Sequence, residues 1–115
     1  MAFKEFQRKR THGGEAAVTI THFGNFALNS KTVAQYFQGN RYAKLYWDDD
    51  SKKVGIKPLK KKEEYAYSVN ISPKGNGGTF SGTAFFKTYG IKYDKTRSFL
   101  VHWNDKEGLL EFKIS

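Results

Sequence analysis

Residues 24–59, GNFALNSKTVAQYFQGNRYAKLYWDDDSKKVGIKPL, and residues 77–114, GGTFSGTAFFKTYGIKYDKTRSFLVHWNDKEGLLEFKI, carry the same signals in the same order. An extended start leads into a short helical stretch, and a hairpin with a polar tip follows. The hairpins align without a gap at an offset of 56, which sets Trp47 on Trp103, Asp49 on Asp105 and Lys57 on Lys113. At the same offset Leu45, Val54 and Ile56 fall on Val101, Leu110 and Phe112. Phe26 falls on Phe80 at an offset of 54, so a small insertion around KYDKTR separates the two registers. Element order, inward positions and turn chemistry agree with one another, as they do in an internal repeat. One half, with two or three strands and a helix, buries too little to stand alone, whereas two halves can close a small barrel without exposed edges. The expected fold is therefore mainly β with short helices: a small closed β-barrel built from two tandem strand-strand-helix-hairpin repeats. Its expected divisions are a basic flexible arm at 1–15, repeat one at 16–59, a charged linker at 60–64 and repeat two at 65–115.

Within the first repeat, AVTITHF alternates, with Val18 and Ile20 on one face and Thr19 and Thr21 on the other, which predicts a half-buried strand. Gly24-Asn25 signals a turn. Asn29-Ser30 offers side-chain oxygens to cap a helix bearing Val33, Tyr36 and Phe37, and Gly39-Asn40 ends it. RYAKLYW alternates again, placing Ala43, Leu45 and Trp47 inward and Tyr42, Lys44 and Tyr46 outward. DDDSK supplies the hairpin turn, and Val54 and Ile56 face inward on the return strand. In the second repeat Tyr67, Val69 and Ile71 share a strand face, PKGNGG is a turn, and Phe85, Phe86 and Tyr89 lie on a short helix. The repeated aromatics Phe26, Trp47, Phe80, Phe86, Trp103 and Phe112 are assigned to the core.

With 115 residues the chain is the size of one domain, and with no Cys it has neither a disulfide framework nor a thiol nucleophile. It shows no apolar run of signal-peptide or membrane-helix length, so a cytoplasmic protein without a membrane partner is expected. Twenty Lys plus Arg against eleven Asp plus Glu give a formal charge of +9, which makes a polyanion the first candidate partner.

Residues 17–59 resemble the swapped-hairpin unit of AbrB/SpoVT transition-state regulators and MazE-type antitoxins: a strand, a Gly turn, an extended segment entering a helix at a polar residue, then an acidic-tipped hairpin. The second half is similar to the same unit, and the tandem arrangement resembles that of MraZ-type regulators; together the resemblance spans about four-fifths of the chain. It implies two units interlocked in one barrel, and DNA as partner. The sequence departs from the family where it touches DNA. Asn25 and Thr79 stand after the turn glycines where the family commonly has Arg, and Asn29, Val33 and Ala34 stand where Pro and basic residues are usual. No family contact residue is carried over.

Catalytic constellations are thin. His12, His22 and His102 are scattered and lack an evident acidic partner, so no catalytic residue is assigned. Asp48-Asp49-Asp50 reads as turn chemistry in place of a metal site, because consecutive strand residues do not converge on one centre. GNGG at 75–78 lacks the GK[ST] of a phosphate loop and reads as a hairpin turn. No metal or cofactor is expected.

Basic residues interleaved with aromatics carry the functional reading. Tyr42, Lys44 and Tyr46 offer a cation between two rings, suited either to a nucleic acid or to stabilising the sheet itself. Arg41, Lys57, Lys60, Lys61 and Lys62 surround them, the insertion around KYDKTR adds Lys92, Lys95 and Arg97, and the arm adds Lys4, Arg8, Lys9 and Arg10. The expectation is a non-enzymatic DNA-binding regulator or accessory protein, with duplex or single-stranded DNA as partner and RNA as a further candidate. The chain would act as a monomer with an internal pseudo-twofold axis or as a homodimer. The alternatives are a single-strand binder using the Tyr and Lys face, and a protein-interaction module of antitoxin or inhibitor type.

Overall fold

A computed structural model describes residues 15–74 and 77–114; the arm residues Lys4, Arg8, Lys9, Arg10 and His12 lie outside the described residues. Of the described residues 45% are strand and 14% helix, so the chain is mainly β with two short helices. No helix among them is long and apolar enough to cross a membrane.

The first half runs β1 (Ala17–Ile20), β2 (Asn25–Asn29), α1 (Ser30–Tyr36), β3 (Tyr42–Asp48) and β4 (Lys53–Leu59). The second runs β5 (Tyr67–Ser68), β6 (Asn70–Ile71), β7 (Gly77–Ser81), α2 (Thr83–Tyr89), β8 (Arg97–Leu100), β9 (His102–Asn104) and β10 (Leu109–Lys113). Asn29 caps α1 as its sequence predicts, accepting from the Thr32 amide at 2.9 Å. Thr32, the one buried polar side chain among the described residues, lies within hydrogen-bond distance of both the amide and the carbonyl of Ala17, each at 2.9 Å, and so ties the helix to β1. In α2 the first turn has no side-chain cap; the Thr83 hydroxyl instead donates to the Gly24 carbonyl in the other half.

Two five-stranded sheets result, ordered β6-β7-β2-β1-β8 and β5-β3-β4-β10-β9, and neither closes on itself into the expected barrel. The reason lies in two extended segments that change partners midway. Residues 67–71 pair first with β3 and then with β7. Residues 97–104 pair first with β1 and then with β10. The ladders break at Val69 and Val101, whose amides donate to Arg41 and Ala16. Such sheet-switching strands make corners between packed sheets.

Exchanging the halves maps this pairing scheme onto itself. In the β2–β7 ladder Phe26 lies opposite Phe80, its own counterpart at the offset of 54. In the β4–β10 ladder Gly55 lies opposite Glu111, its counterpart at 56, with Val54 facing Phe112 and Ile56 facing Leu110. The pair Val18–Phe99 matches Tyr67–Ala43, which equates β1 with β5 at an offset of 49.

The core lies between the sheets and helices. Phe26, Phe80, Phe86 and Phe112 are buried there, as expected, with Val18, Ile20, Val54, Ile56 and Leu110. Trp103 corrects the assignment: its side chain is 42% exposed. Trp47 is half-buried and only borders the core. Both indoles instead lie on helices of the opposite half, Trp47 stacked on Tyr89 at 5.4 Å and Trp103 on Tyr36 at 5.3 Å between centroids. Seven-residue helices present too little surface to cover an indole completely.

Phe26→Ala is expected to cost about 3–5 kcal/mol in urea unfolding, whereas Trp103→Ala, at a residue already 42% exposed, should cost less. Gly82→Ala should cost about 1–3 kcal/mol through overpacking, because an added Cβ would lie 2.7 Å from both the Phe26 and Phe86 rings.

Candidate nucleic-acid interface

Six residues, 91–96, separate the C-cap of α2 from Arg97, where the first half has three, 38–40, before the equivalent Arg41. Gly90 turns the chain out of the helix in the left-handed region (φ 67°), a conformation that suits glycine. Ile91 then plugs into the core, its amide donating to the Phe86 carbonyl at 2.8 Å. At its other end Thr96 Oγ1 accepts from the His22 amide at 3.1 Å, and the segment runs into β8.

The segment contributes to an open cleft of about 560 Å³. The Trp47–Tyr89 stack, Lys92, Lys95 and Arg97 line it, with Lys52 contributed by the first hairpin turn. Asp94 is the acid on the lining. Lys92, Lys95 and Arg97 are exposed, and among the described residues none forms an ion pair. Arg97 is nevertheless held: its guanidinium donates to the Lys92 carbonyl at 3.3 Å and lies over the Phe99 ring at 5.4 Å. Three cations that form no ion pair, against one acid, beside an aromatic stack make a receptor for anions attached to planar groups.

The Asp triplet builds the turn beneath Lys52. Asp48 Oδ1 accepts from the amides of Asp50 and Ser51, and Lys52 takes φ 56°. Asp49 accepts from Lys52 Nζ at 3.0 Å and from Trp47 Nε1 at 3.3 Å, and these two contacts hold its carboxyl below the ordinary carboxylate range. Asp49 thus partly neutralises Lys52 while fixing the indole.

The other predicted residues lie elsewhere. On the outer face of β3 and β4, Lys44 is opposite Lys57, Tyr42 is opposite Leu59 and Tyr46 is opposite Gly55. Tyr42 and Lys44 are half-buried, and Lys44 is 3.7 Å from Glu63. The expected cation between two exposed rings is therefore reduced to Tyr46, 40% exposed, beside a lysine that has a counter-charge. Arg41, Lys60, Lys61 and Lys62 are exposed in the segments flanking β3 and β4. None of these residues lines the cleft. Arg8, Lys9 and Arg10 lie outside the described residues.

Sequence reasoning found three of the cleft's cations and missed Lys52, Tyr89 and the exposed edge of Trp47. Tyr89 had a signal, since it occupies in α2 the last helical position that Tyr36 occupies in α1. No family model, curated protein or solved structure matches the chain.

Asp49 makes a specific pH prediction. A carboxyl held below its unfolded pKa contributes stability above the unfolded value, lost as pH falls through the lower folded one. In a Trp103→Phe background, Trp47 emission should change only as pH falls below the ordinary carboxylate range. Asp49→Asn should abolish that transition.

Proposed function

We propose that the chain is a small nucleic-acid-binding protein, a DNA-binding regulator or accessory protein that acts without catalysis. The convergence of Lys52, Lys92, Lys95 and Arg97 on one aromatic-walled cleft is the observation that carries this reading. A net charge of +9 adds long-range attraction for a polyanion, and phosphate contacts supply most of the affinity in such proteins.

The same proposal includes kinship with AbrB, MazE and MraZ-type proteins. Its support is the twofold recurrence of strand, strand, helix and hairpin in a self-consistent pairing scheme. In this reading the two sheets are a flattened barrel: counting residues 67–71 and 97–104 as one strand each gives a circuit of eight. Here the cleft would replace the family's Arg after the turn glycine, since Asn25 and Thr79 occupy those places.

The experiment is a salt titration against duplex DNA, single-stranded DNA and RNA. Charge reversal of Lys92, Lys95 and Arg97 together should weaken binding and lower the log-log salt slope by about 0.7–0.9 for each phosphate no longer neutralised. Reversal of Lys60, Lys61 and Lys62 should have a smaller effect. Absence of binding to all three nucleic acids at low salt would remove the proposal.

A further inference from the structure

The β1–β2 turn adjoins the cleft and carries the second most exposed large hydrophobic side chain among the described residues, Phe23, at 75%. A single exposed ring is ordinary in itself, but this one is held in place. The Thr21 amide donates to the Asn25 carbonyl and the Gly24 amide to the Thr21 carbonyl, closing a tight turn around Gly24 at φ 87°. The His22 amide donates to Thr96 Oγ1 at 3.1 Å, and His22 Nδ1 lies 2.8 Å from the same oxygen, fastening the turn to the inserted segment. Phe23 rests on the His22 ring at 4.0 Å between centroids, leaving most of its surface to solvent.

His22 also lines a hollow of about 470 Å³ with Ile91, Lys92, Tyr93 and Asp94. Ile91, Lys92 and Asp94 line the cleft as well, so the hollow and the cleft share a wall. Tyr89, stacked on its indole, lines the cleft, and the exposed Phe23 lies on the imidazole that lines the hollow, while Lys92, which forms no ion pair, and Asp94 belong to the shared wall.

From this arrangement we infer that one unpaired strand of nucleic acid lies across the shared wall, with bases stacked on Tyr89 and Phe23 and the intervening backbone on Lys92. The inference rests on the nucleic-acid reading above and narrows it. A duplex presents phosphates and groove edges while its base faces remain stacked inside; only an unpaired strand has faces to lay on two separated rings. The second stack, Tyr36 on Trp103, provides an internal control. Its position equivalent to Lys52 is Gly108, and the inserted lysines have no counterpart there. The adjacent hollow is lined by Glu15 as well as Lys31.

The test measures binding of short oligothymidylate, an abasic strand of equal length, a duplex and polyglutamate, with tryptophan fluorescence as readout. Oligothymidylate should bind more tightly than the other three and quench emission. Trp103→Phe should retain the ligand-induced quench and Trp47→Phe should lose it. Phe23→Ala, at a side chain that packs on little, should weaken oligothymidylate binding by about 5-fold to 100-fold and leave abasic and duplex affinities within about 2-fold. Tyr89→Ala should act in the same direction, and because it also removes packing on Phe85, the Phe23 variant decides if it fails to fold. Duplex binding at least as tight as single-strand binding, with Phe23→Ala silent, would overturn the single-strand inference and leave nucleic-acid binding standing. Equal binding of polyglutamate, or no binding at all, would overturn both.

Discussion

The contact between Phe26 and Phe80 is where the two halves become one body. The rings stack at 5.0 Å between centroids, Phe86 closes on Phe26 at 4.9 Å, and the small residue Gly82 lets these rings approach the start of α2. The ladder that carries them fixes the register of β2 on β7. A slip of one residue would turn the slipped strand's buried face outward, exposing Phe26 and Leu28 on β2 or Phe80 on β7. With that register set, the hairpins are committed to meeting at Gly55 and Glu111, and the remaining strands follow by the same exchange of halves.

A nearly symmetric frame makes its departures informative. Both Trp–Tyr stacks bridge a helix of one half to a hairpin of the other, so each serves the assembly of the pair. The surroundings differ. Three additional residues after α2 give room for lysines that α1 has no means to display, and the turn residue that is Lys52 on one side is Gly108 on the other. Packing therefore accounts for both stacks, while packing alone does not explain why charge gathers at just one of them.

Much of the fold was legible because hydrophobic alternation and turn residues are local signals. Strands around Val18, Ala43 and Val54, the Asn29 cap and the Asp turn could all be read in this way. The repeat was legible in the hairpins, where an ungapped offset survives. It was obscured before them, where the offset changes from 49 in the first strand to 54 in the second and 53 in the helix through insertions in turns. The closure of the sheets was not legible, because a strand that changes partners at Val69 or Val101 carries the same alternation as one that does not. Nor was the cleft as a whole. Lys52, Tyr89 and Lys92 meet through tertiary packing, and an indole at a repeated inward position reads as core until the short helix over it proves too small to cover it. The Tyr42, Lys44 and Tyr46 face was read correctly as outward, but the Glu63 beside Lys44 comes from the connector, where strand periodicity gives no register.

The confinement of the charged segment to one half has a consequence for how a ligand can lie. Two identical sites related by a twofold axis would accept a directional polymer equally well in either sense and let one molecule bridge two of them. A frame with one furnished end has no such degeneracy. Tyr89 and Phe23 differ in shape and support, so under the proposed single-strand binding a chain with distinct head and tail would lie across them in a single polarity.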